Sequence, residues 1–335
     1  MFKKVIVVLL IFVFLFLALF TVLELGLRIK GHRPFIPGPL PKVIPGGKLY
    51  NKNSLLGYVP IPGKYTILYP DGFNKYTATY LSDLTRITQP LQNYSQTNNK
   101  PEIWVFGDSF VNGQSLNDNQ TFPWALQEKF PQYRIVNYGV GGYSTVQSLF
   151  QFKEALKKKK PALVILCYSD FLDQRNIFSR SWRKAESIVN KLGQVAEPYA
   201  MLNANGKLKF LFSNITYQEL PFERQLAFPN WLDDKLNALE DKINSGHDVT
   251  KALLKEFYSE SHKNKIKTIF ATFYDNPATK DSLNYAKGLG MITVDMTVNY
   301  QNPKYTNLPH DAHPSALADQ IFAQKLQTKI LEEIH

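Results

Sequence analysis

Five short apolar runs, at residues 103–106, 135–137, 163–167, 267–273 and 292–295, recur along the chain, and most are separated by stretches with helical spacing. The runs are nearly continuous in apolar character rather than alternating, the pattern of a strand buried on both faces. The intervening stretches (122–130, 145–158, 249–263, 282–289 and 315–334) carry the 3.6-residue periodicity of helices with one apolar side. Strand and helix in alternation predict an α/β fold, a three-layer domain over residues 100–335 with a central parallel sheet. One insertion, at about 171–248, breaks the alternation. It predicts a helix near 181–192, a hairpin with strands 199–202 and 207–212 around Asn203-Ala204-Asn205-Gly206, and a second helix over 231–243. Insertions at strand ends often wall a pocket, though this one could equally be scaffold.

The first thirty residues follow a different rule. Val5 to Leu23 is apolar except for Thr21, close to the length of a bilayer span, with Lys3 and Lys4 before it and Glu24, Arg28 and Lys30 after it. No small-residue cleavage pattern follows, so residues 1–30 read as an uncleaved, single-pass signal anchor; a cleaved export signal is the alternative. Either places the rest of the chain outside the cytoplasm, periplasmic or at the cell surface. Residues 31–60 carry Pro34, Pro37, Pro39, Pro41, Pro45, Gly46 and Gly47 and read as an extended spacer. Within 31–99 a small accessory hairpin is expected over 65–80, turning at Pro70-Asp71-Gly72, followed by a polar loop at 93–100. Cys167 is the single cysteine, so no intramolecular disulfide can form, and its apolar neighbours make it a buried small hydrophobe. The net charge of +11 suits an anionic surface. Lys157 to Lys160 read as a solvated helix end, since no nucleic-acid motif accompanies them.

Chemistry concentrates where the first apolar run ends, at Gly107-Asp108-Ser109-Phe110. A hydroxyl at the carboxyl end of a strand stands where open α/β sheets place their active sites. By itself Asp-Ser could simply cap the following helix. A nucleophilic serine needs a base, and the base needs an orienting group. Of the six histidines, His32 lies in the spacer and His335 ends the sequence, while His247 and His262 lack a suited acidic neighbour. His313 follows Asp311 by two residues in His310-Asp311-Ala312-His313-Pro314, after the last strand and before the last helix. A third stretch, Asn137-Tyr138-Gly139-Val140-Gly141-Gly142, runs from a strand toward a helix start and offers backbone N–H groups to a developing oxyanion. Its glycines do not match a dinucleotide turn, and the strand before it is not the first.

Over roughly residues 100–330 these ordered blocks resemble the SGNH, or GDSL-type, hydrolase family in its membrane-anchored form. Gly107-Asp108-Ser109 with Phe110, Gly113 and Thr121-Phe122-Pro123, then Asn137 to Gly142, then Asp311-Ala312-His313-Pro314 carry the resemblance. It implies a flavodoxin-like α/β/α fold, Ser109 as nucleophile, His313 as general base, Asp311 as its orienter, and the N–H groups of Ser109 and Gly142 in the oxyanion hole. Two departures stand out. The family usually spaces the pair Asp-x-x-His, where this chain has Asp311-x-His313 and places His310 three before His313. The family's oxyanion asparagine is replaced by Ser169 in Cys167-Tyr168-Ser169-Asp170, so that Ser169, or an amide such as Asn176, would have to stand in. The Gly-x-Ser-x-Gly elbow of α/β-hydrolases is absent around Ser109.

The resulting expectation is a membrane-anchored, extracytoplasmic serine esterase that removes an acyl group, most simply acetyl, from an envelope glycan or lipid without cofactor or metal. An O-acyltransferase acting on a cell-envelope polysaccharide would share its first half-reaction. A non-catalytic binding protein on the same fold is the third possibility, with Tyr199, Phe210, Phe212, Tyr217 and Phe222 available to stack on sugars. The residues that bind substrate are not apparent from the sequence.

Overall fold

The computed structural model describes residues 2–37, 40–70, 72, 75–97, 99–189, 192–308 and 311–334. His310, Asp71, Pro39 and His335 lie outside them.

Helix α1 (Phe2–Ile29) is long and apolar enough to cross a membrane. A small antiparallel sheet follows, in which β1 (Lys42–Ile44), β4 (Gly63–Leu68) and β5 (Lys75–Tyr80) lie in the order β1-β4-β5, with β2 (Tyr50–Asn53) and β3 (Gly57–Pro60) paired separately. The expected accessory hairpin is therefore β4–β5. The segment expected as a spacer is instead strand-forming: Val43 packs with Tyr65, Ile67, Tyr76 and Tyr80, and Tyr58 packs with Val140 and Tyr143. Its tyrosines and aliphatics have an apolar surface to cover, and that outweighs its proline and glycine content. In the stretch expected as a loop, Tyr94–Thr97 forms a single turn, α2.

The main sheet is built from β6 (Glu102–Phe106), β7 (Arg134–Asn137), β8 (Leu163–Tyr168), β11 (Lys267–Thr272) and β12 (Ile292–Asp295), all parallel, in the order β12-β11-β8-β6-β7. Strands β9 (Ala196–Leu202) and β10 (Leu208–Asn214) form the insertion hairpin. Side chains alternate between two cores, which is why the runs had to be apolar throughout. Ile103, Val105, Ile165 and Ile269 meet α4 (Phe122–Lys129) and α11 (Ala316–Glu333) through Phe122, Leu126 and Phe322. Trp104, Phe106, Leu166 and Phe270 meet α5 (Thr145–Leu156) and α9 (Gly246–Lys263) through Leu149, Phe152 and Phe257. Helix α10 (Pro277–Leu289) completes the second face. The five strands, numbered along the chain, lie 2-1-3-4-5, the flavodoxin-like order, and the direction of winding reverses between β6 and β8.

The insertion supplies α6 (Leu172–Asn176), α7 (Arg180–Val189), the hairpin and α8 (Ala227–Ile243), close to the expected elements. The hairpin aromatics are structural. Phe210 and Phe212 pack on Phe150, and Tyr199 stacks on Phe178.

Candidate active site

Strand β6 ends at Phe106, and Ser109 opens the one-turn helix α3 (Ser109–Asn112). The capping role falls to Asp108, whose Oδ1 accepts the Phe110 N–H at 3.0 Å, leaving the Ser109 hydroxyl available. Burial pushes the Asp108 carboxyl above its ordinary range, while Arg175, with Nη1 3.3 Å from Oδ2, acts against that.

The partner of Ser109 comes from strand β14 (Asp311–Pro314), which pairs with β13 (Thr306–Asn307) beyond the carboxyl edge of the sheet. His313 Nε2 lies 2.9 Å from Ser109 Oγ and His313 Nδ1 lies 2.7 Å from Asp311 Oδ1. Burial raises the Asp311 carboxyl, but hydrogen bonds and the charge interaction with His313 and the Ser115 hydroxyl outweigh it, and the net is a value below the ordinary range. An ionised Asp311 can only accept, so Nδ1–H donates to it, and Nε2 is left to accept the Ser109 proton. Ser115 donates to the other Asp311 oxygen in a short contact. Phe110 packs edge-on against the imidazole at 5.7 Å.

The glycine stretch after β7 lies directly against this turn. The Asn112 amide donates to the Gly139 carbonyl at 2.8 Å and the Asn137 amide to the Val111 carbonyl at 2.9 Å. A Cβ on Gly139 would come within 2.5 Å of the Asn112 nitrogen, so only glycine fits. Gly142 has φ +86°, and a Cβ there would run into the Tyr58 hydroxyl. Among the described residues, the N–H groups of Ser109 and Gly142 meet no protein acceptor. Both border a cavity of about 530 Å³ that also contains His313 and Asp311.

The former spacer and the insertion make up that cavity's walls. Val43, Leu49, Ile67 and Tyr76 give an apolar side; Trp182, Ala185 and Glu186 of α7, with Arg175, give a mixed side. Glu186 and Glu197 are both buried here. Burial drives each carboxyl up, Glu186 to about 7 and Glu197 to about 8, with Glu186's charge adding to the rise at Glu197 and Arg175 opposing both.

Neither proposed stand-in for the missing asparagine reaches the cavity. Ser169 is buried with an unpartnered hydroxyl, and it does not border the cavity. Asn176 is fully buried and bound elsewhere, accepting from the Thr145 N–H at 2.8 Å and donating to Thr250 at 2.7 Å. His247 also differs from expectation. Its two ring nitrogens lie 2.9 Å from Asp173 and 2.9 Å from Asp281, neighbours 74 and 34 positions away that no local pattern announces. Sequence reasoning missed Arg86 as well. Fully buried, its guanidinium donates to the carbonyls of Asn112 (2.6 Å), Gly113 (2.7 Å) and Leu116 (2.7 Å), and its backbone N–H to Asn137 (3.0 Å). It thereby ties the accessory sheet to the Ser109 turn. A lone arginine between Thr85 and Ile87 carried no signal of this.

No protein-family model and no curated protein matches the chain. Solved structures do. The chain is similar to GDSL-type lipolytic proteins. One is a member of the lipolytic protein G-D-S-L family from Veillonella parvula, with 12% identity over 68% of this chain and 96% of that one at TM-score 0.40. Another is a GDSL-like lipase from Bacteroides thetaiotaomicron, with 15% identity over 73% and 92% at TM-score 0.37. A third is the psychrotrophic esterase EstA from Pseudoalteromonas, with 11% identity over 70% and 98% at TM-score 0.40.

Proposed function

We propose that this chain is a serine ester hydrolase of the SGNH type, held at a membrane by α1 with its α/β domain on the extracytoplasmic side. The observation that carries the proposal is the continuous hydrogen-bonded chain Ser109–His313–Asp311 at 2.9 and 2.7 Å, opening on a cavity. Ser109 Oγ attacks an ester carbonyl while His313 Nε2 takes its proton, and the imidazolium formed is stabilised by ionised Asp311. The oxyanion rests on the N–H groups of Ser109 and Gly142. His313 then returns the proton to the departing alcohol, and water attacks the acyl-enzyme by the same route. With Ser169 off the cavity lining and Asn176 bound to Thr145 and Thr250, the hole has one side-chain donor fewer than the family pattern, a difference worth on the order of 10²–10³ in rate. The apolar wall suits an acyl group. The side bearing Arg175 and Glu186 suits a hydroxyl-rich alcohol, consistent with an acylated envelope glycan or lipid.

The test is reaction of the full chain, in detergent, with a fluorophosphonate probe and a short aryl ester. Labelling and turnover that disappear in Ser109→Ala support the proposal. Wild type that neither labels nor turns over ester would overturn it.

A further inference from the structure

Helix α8 is amphipathic in the opposite sense to α4, α5, α9 and α11, whose buried faces are largely apolar. Its inward face is polar. Asp233 meets Arg180 at 2.5 Å and Lys184 at 2.7 Å, Glu240 lies 3.2 Å from Arg183, and Asp241 accepts from Gln174 at 2.8 Å and Ser181 at 2.7 Å. Its outward face carries Leu232, Leu236, Leu239 and Ile243, exposed by 36%, 41%, 54% and 69%. The spacing i, i+4, i+7, i+11 puts all four on one stripe, and the exposed Lys235 and Lys242 flank it. A folded domain gains nothing by turning such a stripe to water.

The stripe begins at the membrane-span candidate. Glu24 of α1 accepts the N–H groups of Ala227 and Phe228, both at 2.8 Å, and Arg28 donates to the Gln225 carbonyl at 3.0 Å. Phe228, on the stripe's side of α8, packs edge-on against Phe20 of α1 at 5.6 Å and stacks on Trp231 at 6.0 Å. The last turns of α1 are thus fastened to the first turn of α8, which leaves the stripe continuous with the lipid-facing end of α1.

We infer that α8 lies in the membrane interface, with its Leu232–Leu236–Leu239–Ile243 stripe immersed at the boundary of headgroups and acyl chains and its lysines on anionic lipid. An apolar face, a charged opposite face and flanking lysines are the features of a helix that lies in that plane. The consequence is positional. Helix α7 binds α8 through Arg180 and Lys184 and lines the cavity through Trp182, Ala185 and Glu186, so a bilayer under α8 would hold the cavity at a set height above it.

The test uses the full-length chain in vesicles of phosphatidylcholine and phosphatidylglycerol, carrying a polarity-sensitive fluorophore at Leu236→Cys, at Leu239→Cys or at the exposed hairpin position Lys209→Cys. Cys167 is buried, and the unsubstituted chain measures any labelling there. Nitroxide-bearing lipid is expected to quench the two α8 sites roughly twofold or more and to leave Lys209→Cys unchanged. Quenching at Leu236→Cys and Leu239→Cys no greater than at Lys209→Cys would overturn the inference. So would efficient disulfide formation between two copies through Leu239→Cys in the same vesicles, which would identify a second chain as the occupant. Neither outcome bears on Ser109 chemistry, so this inference and the hydrolase proposal fail separately.

Discussion

Among the described residues, two histidines are set against carboxylates, and they differ in what faces the second nitrogen. His313 has Asp311 on one side and the Ser109 hydroxyl on the other. His247 has Asp173 on one side and Asp281 on the other, with Asp173 also taking hydrogen bonds from Tyr168 at 2.7 Å and Thr250 at 2.5 Å. Its hydrogen bond to Asp173, aided by Asp281, outweighs burial and raises His247 above its ordinary value. A ring bridging two anions is favoured as the cation, in which both nitrogens donate and no lone pair is left to offer. A ring with one anion and one hydroxyl can stay neutral and take a proton in the transition state. The lesson is that a His–Asp contact becomes a base only when its far side is left to a nucleophile at a cavity.

Removing either end of the Ser109–His313 contact should break the comparison most sharply. Ser109→Ala and His313→Ala are expected to lower kcat for an aryl ester by about 10⁴–10⁶, whereas His247→Gln should stay within about twofold of wild type; steady-state kinetics on folded protein decide. Next comes the orienting carboxylate. Asp311→Asn should cost about 10³–10⁴ in kcat, and Asp173→Asn should spare kcat but lower stability by about 1–3 kcal/mol, read from denaturant unfolding. Gly142→Ala, which drives a Cβ into the Tyr58 hydroxyl, should lower kcat by roughly 10–10² with a smaller change in KM.

The smallest effect is the pH signature of the structural pair. A histidine raised by folding contributes stability that is fully present below its unfolded value and is lost as pH rises through its folded value. The Tm deficit of His247→Gln should therefore be largest below about pH 6.5, the ordinary histidine value, and fade as the pH rises above it. Glu186 and Glu197 have the same sign, since both are raised carboxyls. Replacing both with glutamine should flatten the fall in Tm between about pH 4.5 and 8. An unchanged slope would show that the pair does not titrate there.

Much of the α/β scaffold could be read from the chain because its signal is local. Ile103 to Phe106 must be apolar on both sides wherever the strand ends up, whereas α10 starts at Pro277 behind a cap at Asn276, ahead of the expected start at 282. The residues of the Ser109–His313–Asp311 chain were also identifiable, since each sits in a short pattern at an element boundary. Residues 31–60 were misread because proline and glycine dominate their composition, while the surface that folds them, Tyr65 and Tyr76 on the next strands, lies outside the window. Where Ser169 and Asn176 sit relative to the cavity was illegible for a related reason. Ser169 matches the family's asparagine by position, but whether a side chain reaches the cavity depends on distant partners, as when Thr145 of α5 and Thr250 of α9 hold Asn176.

By itself, the amino-acid order determined a doubly covered parallel sheet, an apolar helix long enough for a bilayer, and a serine, a histidine and an aspartate in boundary positions. Periodicity and caps act over a few residues, so they survive in one dimension. Only the tertiary structure decided that His247 bridges two carboxylates, that Arg86 fastens the accessory sheet to the Ser109 turn, and that α8 turns its leucines outward. Each of those depends on partners tens to hundreds of positions away. A polar group's role is set by what folding brings to its open side, which no local pattern encodes.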